Sequence, residues 1–120
     1  MRVIIADDSD ILRERLVENL SSLPNVTVVG EAKDIPTAKK LIDEIEFDLG
    51  IYDIVMPNGS GIELISDTKK KYPSAKVIMM TNYSISSYKD KCMKAGADYF
   101  FDKTDLDKMI TMIKQLSTEE

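Results

Sequence analysis

The chain is predicted to be an α/β domain, a five-stranded parallel sheet wound on both faces by helices, and three observations predict it. Short apolar runs alternate five times with segments of helical period. Three of the runs, Val3 to Ala6, Leu49 to Tyr52 and Val77 to Met80, are almost wholly apolar, as strands buried on both faces are. The segments between them are long enough for the helical crossovers that parallel neighbours need.

The elements follow in order. Val3-Ile4-Ile5-Ala6 forms the first strand and ends at Asp7-Asp8. Ser9 or Asp10 caps a helix with Leu12, Leu16, Leu20 and Leu23 on one face, and Pro24-Asn25 ends it. Val26 to Ala32 is β-rich but mixed in polarity, which suits an edge strand. Asp34 and Pro36 open a second helix with Ala38, Leu41, Ile42 and Ile45 inward. The third strand, Leu49 to Tyr52, ends on Asp53, and Pro57, Asn58, Gly59 and Gly61 mark an irregular loop. A helix from about Gly61 to Tyr72 turns Leu64, Ile65 and Thr68 inward, and Pro73 stops it.

Val77 to Met80 is the fourth strand and ends at Thr81. A helix from roughly Ser84 to Lys94 carries Ile85, Tyr88, Cys92 and Ala95 at helical spacing, with Ala95-Gly96-Ala97 as its C-terminal punctuation. Asp98 to Asp102 is a short aromatic strand leading to Lys103. The last helix, about Asp105 to Leu116, buries Leu106, Met109, Ile110, Ile113 and Leu116. Since the second and fifth strands are mixed or short, they belong at the edges, and the order 2-1-3-4-5 satisfies that. This is the flavodoxin-like (βα)5 arrangement, with the first and third strands meeting at the topological switch point.

Composition narrows the function. With 120 residues and 43% hydrophobic content, residues 1–120 read as one domain around one real core. Sixteen basic against 21 acidic residues give a net charge of −5, which argues against a nucleic-acid surface. A single cysteine excludes an internal disulfide, and the absence of histidine excludes the usual zinc ligand sets. No apolar stretch is long enough for a signal peptide or a membrane span, so a soluble, cytoplasmic protein is expected. Cys92 and the seven methionines read as core filler.

The predicted strand order brings Asp7, Asp8 and Asp53 to one crevice. Three carboxylates there raise one another's pKa unless a cation neutralises them. Mg²⁺ fits this sparse set better than Ca²⁺, because it keeps waters and shares its shell with a phosphate. The fourth strand adds the Thr81 hydroxyl and the fifth the Lys103 ammonium, the parts needed to hold a phosphoryl group on Asp53. Any one of these residues alone has an ordinary structural explanation, such as a cap or a solvated lysine. Their joint placement does not.

Asp7-Asp8, Asp53 with Met56-Pro57 and Gly61, Thr81 and Lys103, each after its own strand, resemble the receiver domain of bacterial two-component response regulators over the whole chain. The resemblance implies that Asp53 is the phospho-acceptor, that Asp8, Asp53 and the carbonyl of Val55 bind Mg²⁺, and that Asp7 assists through water. It implies that Lys103 pairs with the carboxylate and the phosphoryl oxygens, and that Thr81 and Phe100 form the switch. The implied phosphodonor is a histidine kinase or a histidine phosphotransfer protein. The implied output surface comprises the fourth helix, fifth strand and fifth helix, about Ser84 to Leu116, facing an effector protein or a second copy of the chain. No output domain follows the last helix, so a stand-alone or an excised receiver is expected.

Several positions depart from the family pattern. Thr104 follows Lys103 where proline is usual, so a cis bond is not expected there. Phe100 replaces the frequent Tyr, leaving a switch that works by packing alone. Asn82 and Tyr83 stand where a small and a polar residue are frequent and are expected to narrow access to Asp53. Gly50 is also unexpected in a central strand, where it costs about 0.5–1 kcal/mol against Ala, and it is expected to make room for Tyr52 on the same side. The other readings are an aspartyl phosphatase, a nucleotide or flavin binder, and a receiver-shaped interaction module that is never phosphorylated. The first lacks its second Asp, with Val55 in that place, and the second lacks a Gly-rich phosphate loop.

Overall fold

Val3, Ile4, Ile5 and Ala6 are each 1% exposed or less, as an apolar run covered on both faces must be. They lie in β1 (Arg2–Ala6), and the chain continues through α1 (Asp10–Ser21), β2 (Thr27–Ala32), α2 (Ile35–Glu44) and β3 (Leu49–Asp53). After a two-stranded ribbon, β4 (Val55–Met56) and β5 (Gly59–Ser60), come α3 (Ile62–Lys71), β6 (Lys76–Thr81), α4 (Ser86–Ala95) and β7 (Tyr99–Asp102). A 3-10 turn (Lys103–Asp105) leads into α5 (Leu106–Thr118). The computed structural model describes residues 1–82 and 86–118. The expectations for Tyr83, Ser84 and Ile85 lie outside them.

The main sheet is parallel, in the order β2-β1-β3-β6-β7, which is the predicted 2-1-3-4-5 once the ribbon strands are passed over. Alternate residues of each strand feed two cores. Val3, Ile5, Leu49, Ile51, Ile78 and Met80 pack with Leu16 and Leu20 of α1 and Met109 and Ile113 of α5. Ile4, Ala6, Tyr52, Val77 and Met79 pack instead with Ile35, Ala38 and Ile42 of α2, Leu64 and Ile65 of α3, and Cys92 of α4. The helices therefore divide two on one face and three on the other.

Local chemistry accounts for three of the helix ends. Ser9 caps α1 by accepting from the Leu12 amide, and Asp34 caps α2 by accepting from the Thr37 amide at 2.8 Å. Gly96, at φ 110°, ends α4 with Gly96 N–H donating to the Met93 carbonyl and Ala97 N–H to the Cys92 carbonyl, a Schellman pair.

Four expectations are corrected. The loop after Asp53 is a ribbon, not irregular: Met56 pairs with Gly59 across Pro57-Asn58, and Asn58 takes the positive φ of 66° that such a turn needs. Helix α1 stops at Ser21, ahead of Pro24. In α5, Leu106, Ile110 and Leu116 are only half-buried and Ser117 takes a buried place, because the helix rides on the edge of the sheet. Met93 is 42% exposed, so it is no core filler.

The pairing of Gly50 with Tyr52 is as expected. A Cβ on Gly50 would collide with the Tyr52 ring at its hydroxyl and Cζ. Tyr52 lies folded over that gap, fully buried, and its hydroxyl hydrogen-bonds Thr68 Oγ1 at 2.6 Å. Burial raises the hydroxyl pKa above its ordinary value, so it stays neutral.

Candidate functional site

The site forms at the carboxyl edge of the sheet, where β3, β6 and β7 each end in a polar residue and Asp7 follows the last residue of β1. Asp7 prolongs β1 by one bond, its N–H donating to the Ala32 carbonyl at 3.0 Å, and is fully buried. Asp8 is exposed beside it. Asp53 is the last residue of β3 and 4% exposed. Thr81 ends β6, fully buried and paired in register with Asp102 of β7. Lys103 begins the turn after β7.

Lys103 reaches across two strands. Its Nζ lies 2.9 Å from Asp53 Oδ2, to which it donates a hydrogen bond, and 2.9 Å from Asp7 Oδ2. The second contact is an ion pair without hydrogen-bond geometry, and Asp7 Oδ2 has no hydrogen-bond donor among the described residues. A buried carboxylate oxygen left in that condition is unusual and favours an additional cation. Asp7, Asp8 and Asp53 each offer an oxygen, and these oxygens lie within 4.8 Å of one another. An all-oxygen, acidic donor set of this kind suits Mg²⁺.

Burial raises the Asp53 carboxyl to about 6, Asp7 pushes in the same direction, and Lys103 and the Val55 amide offset only part of this. Lys103 itself is raised: burial disfavours its charge, but the hydrogen bond to Asp53 and attraction to the carboxylates of Asp53 and Asp7 outweigh burial. The sign of the linkage follows. A carboxyl whose pKa is higher folded than unfolded weakens the fold when ionised, so that penalty is full above about pH 6 and vanishes below the ordinary value of 3.8. Asp53→Asn is therefore expected to be more stable than the parent at pH 7.5 in the absence of metal. The gap, on the order of 1 kcal/mol after allowance for solvent screening, is expected to close as pH falls through 6 towards 4. Urea titrations of both proteins across that range check it, and a gap independent of pH would contradict it.

The remaining predicted positions surround this centre. Val55 is 51% exposed on the ribbon, its amide 3.4 Å from Asp53 Oδ1. Phe100, opposite Met79 in the ladder, is half-buried and packs against the core under α2, α3 and α4. Asn82 is exposed at the end of β6, and Tyr83 lies outside the described residues. Gly61 has a clear reason: a Cβ there would run into the Asp53 carbonyl oxygen, and the Gly61 amide donates to Ile54 O at 2.8 Å. Only glycine lets α3 start this close to the end of β3.

Two contributors escaped the sequence reading. Asp102 accepts from both the Thr104 amide at 2.9 Å and the Thr104 hydroxyl at 2.8 Å, which secures the turn after Lys103 without proline. Among the described residues no peptide bond is cis. Arg13 donates through Nη1 to the Asp7 carbonyl at 2.9 Å. The Asp102-x-Thr104 spacing could have signalled the first. Nothing in the sequence singles out Arg13 from other helix-surface residues.

Comparison with known proteins agrees with this geometry. Residues 3–114 match the family described as the response regulator receiver domain. The transcriptional regulatory protein DegU of Brevibacillus brevis is 30% identical over 115 residues, covering 95% of this chain and 49% of that protein. A DNA-binding response regulator of the LuxR family from Staphylococcus aureus superposes with a TM-score of 0.87 at 26% identity, covering 97% of this chain and 98% of the other. A two-component response regulator of the LuxR family from Aurantimonas sp. SI85-9A1 gives the same TM-score, 0.87, at 26% identity over 99% of this chain and 86% of the other. The chain spans about half the length of the curated relatives it matches.

Proposed function

The chain belongs to the response regulator receiver domain family, and from that premise we propose that residues 1–120 form one receiver whose Asp53 accepts a phosphoryl group from the phosphohistidine of a histidine kinase or histidine phosphotransfer protein. The observation that carries the reading is the bridge from Lys103 Nζ to Asp53 Oδ2 and Asp7 Oδ2, both at 2.9 Å, beside the exposed carboxylate of Asp8. One Asp53 oxygen attacks phosphorus, the phosphorus–nitrogen bond of the donor breaks, and the imidazole leaves with the electron pair and takes up a proton. The product is an acyl phosphate on Asp53. Lys103 holds the carboxylate in place before transfer and neutralises the phosphoryl oxygens after it.

Asp8, Asp53 and the Val55 carbonyl would hold Mg²⁺, with Asp7 alongside. The ion, when bound, supplies charge neutralisation and orients the phosphoryl group. Thr81, at the end of β6, would donate its hydroxyl to the new phosphoryl oxygens. Phe100 would follow by repacking, since it has no hydroxyl, and the surface of α4, β7 and α5 would carry the change to an effector protein or a second copy. The same residues would also govern the slow hydrolysis of the acyl phosphate. No helix among the described residues is long and apolar enough to cross a membrane, and a cytoplasmic site of action fits a kinase as donor.

Incubation with acetyl phosphate and Mg²⁺ is expected to add one phosphoryl group by intact mass. The adduct should be absent without Mg²⁺ and absent in Asp53→Ala. If neither acetyl phosphate nor histidine kinases label the parent, the chain is an unphosphorylated interaction module.

A further inference from the structure

We propose that Arg13 is a positioning residue for Asp8, setting the affinity of the acidic cluster for Mg²⁺; the inference rests on the reading of that cluster given above. Strand β1 ends at Ala6, and the Asp7 carbonyl, buried with its residue, accepts from Arg13 Nη1 at 2.9 Å. Two residues on, the Ser9 amide donates to Asp7 Oδ1 at 2.7 Å. The chain on both sides of Asp8 is thus secured. The Asp8 side chain itself is exposed and makes no hydrogen bond or ion pair among the described residues. Its direction is consequently inherited from the backbone that Arg13 and Ser9 hold.

Arg13 is anchored for the task. Its side chain is 15% exposed, Nη2 donates to Asp10 Oδ1 at 2.6 Å, and Nε to Glu31 Oε1 at 3.3 Å. Asp10 and Glu31 are themselves open to solvent, at 72% and 45%, so these pairs contribute little stability in their own right. Their effect is to aim the guanidinium. Three acceptors, one in the β1–α1 loop, one in α1 and one in β2, are met by Nη1, Nη2 and Nε of one planar fork, and a lysine could serve one of them.

The test compares the parent, Arg13→Ala and Arg13→Lys by calorimetric titration of Mg²⁺ and by urea denaturation with and without Mg²⁺. Arg13→Ala is expected to raise the dissociation constant for Mg²⁺ about tenfold, the scale on which groups behind metal ligands act. Its urea midpoint should fall further in Mg²⁺ than without it, because weaker binding supplies less linked stability. Arg13→Lys should show a smaller rise, and it carries the test if Arg13→Ala does not fold. Equal midpoint losses in both media with an unchanged dissociation constant would overturn the proposal and leave Arg13 a purely structural brace. Failure of the parent to bind Mg²⁺ would overturn the cation-site reading too, and it is distinguishable because it appears in the parent.

Discussion

Lys103→Ala is expected to lose about 1–3 kcal/mol of stability in metal-free solution at pH 7.5, and about 10²-fold in the rate of phosphorylation by acetyl phosphate. The lysine side chain is 10% exposed and lies between carboxylates exposed to 0% and 6%. Removing it leaves Asp7 and Asp53 facing each other without a cation, and the loss of one partner from a buried pair costs more than the pair itself contributes. The acids can recover part of this by taking up protons. The deficit should therefore be largest above pH 7, shrink towards pH 5, and shrink at constant pH when Mg²⁺ is added. Urea titrations at pH 7.5 and 5.5, with and without Mg²⁺, read all three. A deficit that responds to neither proton nor metal would mean that Lys103 acts by packing and not by charge.

Gly50→Ala is expected to destabilise the fold by about 2–4 kcal/mol, an unusually large penalty for the addition of one methyl group. The new Cβ would meet the Tyr52 hydroxyl and ring, which must leave its place over Gly50. That movement breaks the hydrogen bond to Thr68 Oγ1, and both hydroxyls are buried where water cannot replace it. Shortening the ring removes the clash, so the same substitution in a Tyr52→Leu background should cost less than half as much. The comparison is a double-mutant cycle followed by chemical denaturation. Additive losses would show that Gly50 serves some other purpose in β3.

The two experiments probe different layers of the same architecture. Gly50 and Tyr52 support the strand from below, through α3, while Lys103 acts at its tip. Gly61 joins the layers, since its bare Cα lets α3 begin against the Asp53 carbonyl.

Much of this was legible in the sequence. Apolar runs that stop at Asp7, Asp53 and Thr81 mark buried strands and their polar ends, because a run with no polar position has no solvent face to offer. The alternation with helical segments, together with the mixed polarity of β2 and the shortness of β7, is enough to order the sheet. Gly50 beside Tyr52 was readable from strand parity. The ribbon at Val55–Ser60 was not, because two-residue strands carry no period. The exposure of Met93 and the half-burial of Leu106, Ile110 and Leu116 were not either, since helical spacing gives a face but not how deeply a neighbour covers it.

By itself, then, the sequence determined which residues reach the carboxyl edge of the sheet, through the lengths and apolar character of the strands that carry them. Only the tertiary structure decided how they meet there. Lys103 bridges Asp7 and Asp53, Asp7 keeps a buried oxygen without a hydrogen-bond donor, and Arg13 closes on the Asp7 carbonyl from the next helix. These are contacts between side chains or backbone groups on different elements, six to 96 residues apart in the chain, and their distances depend on how sheet and helices pack together, which no local pattern encodes.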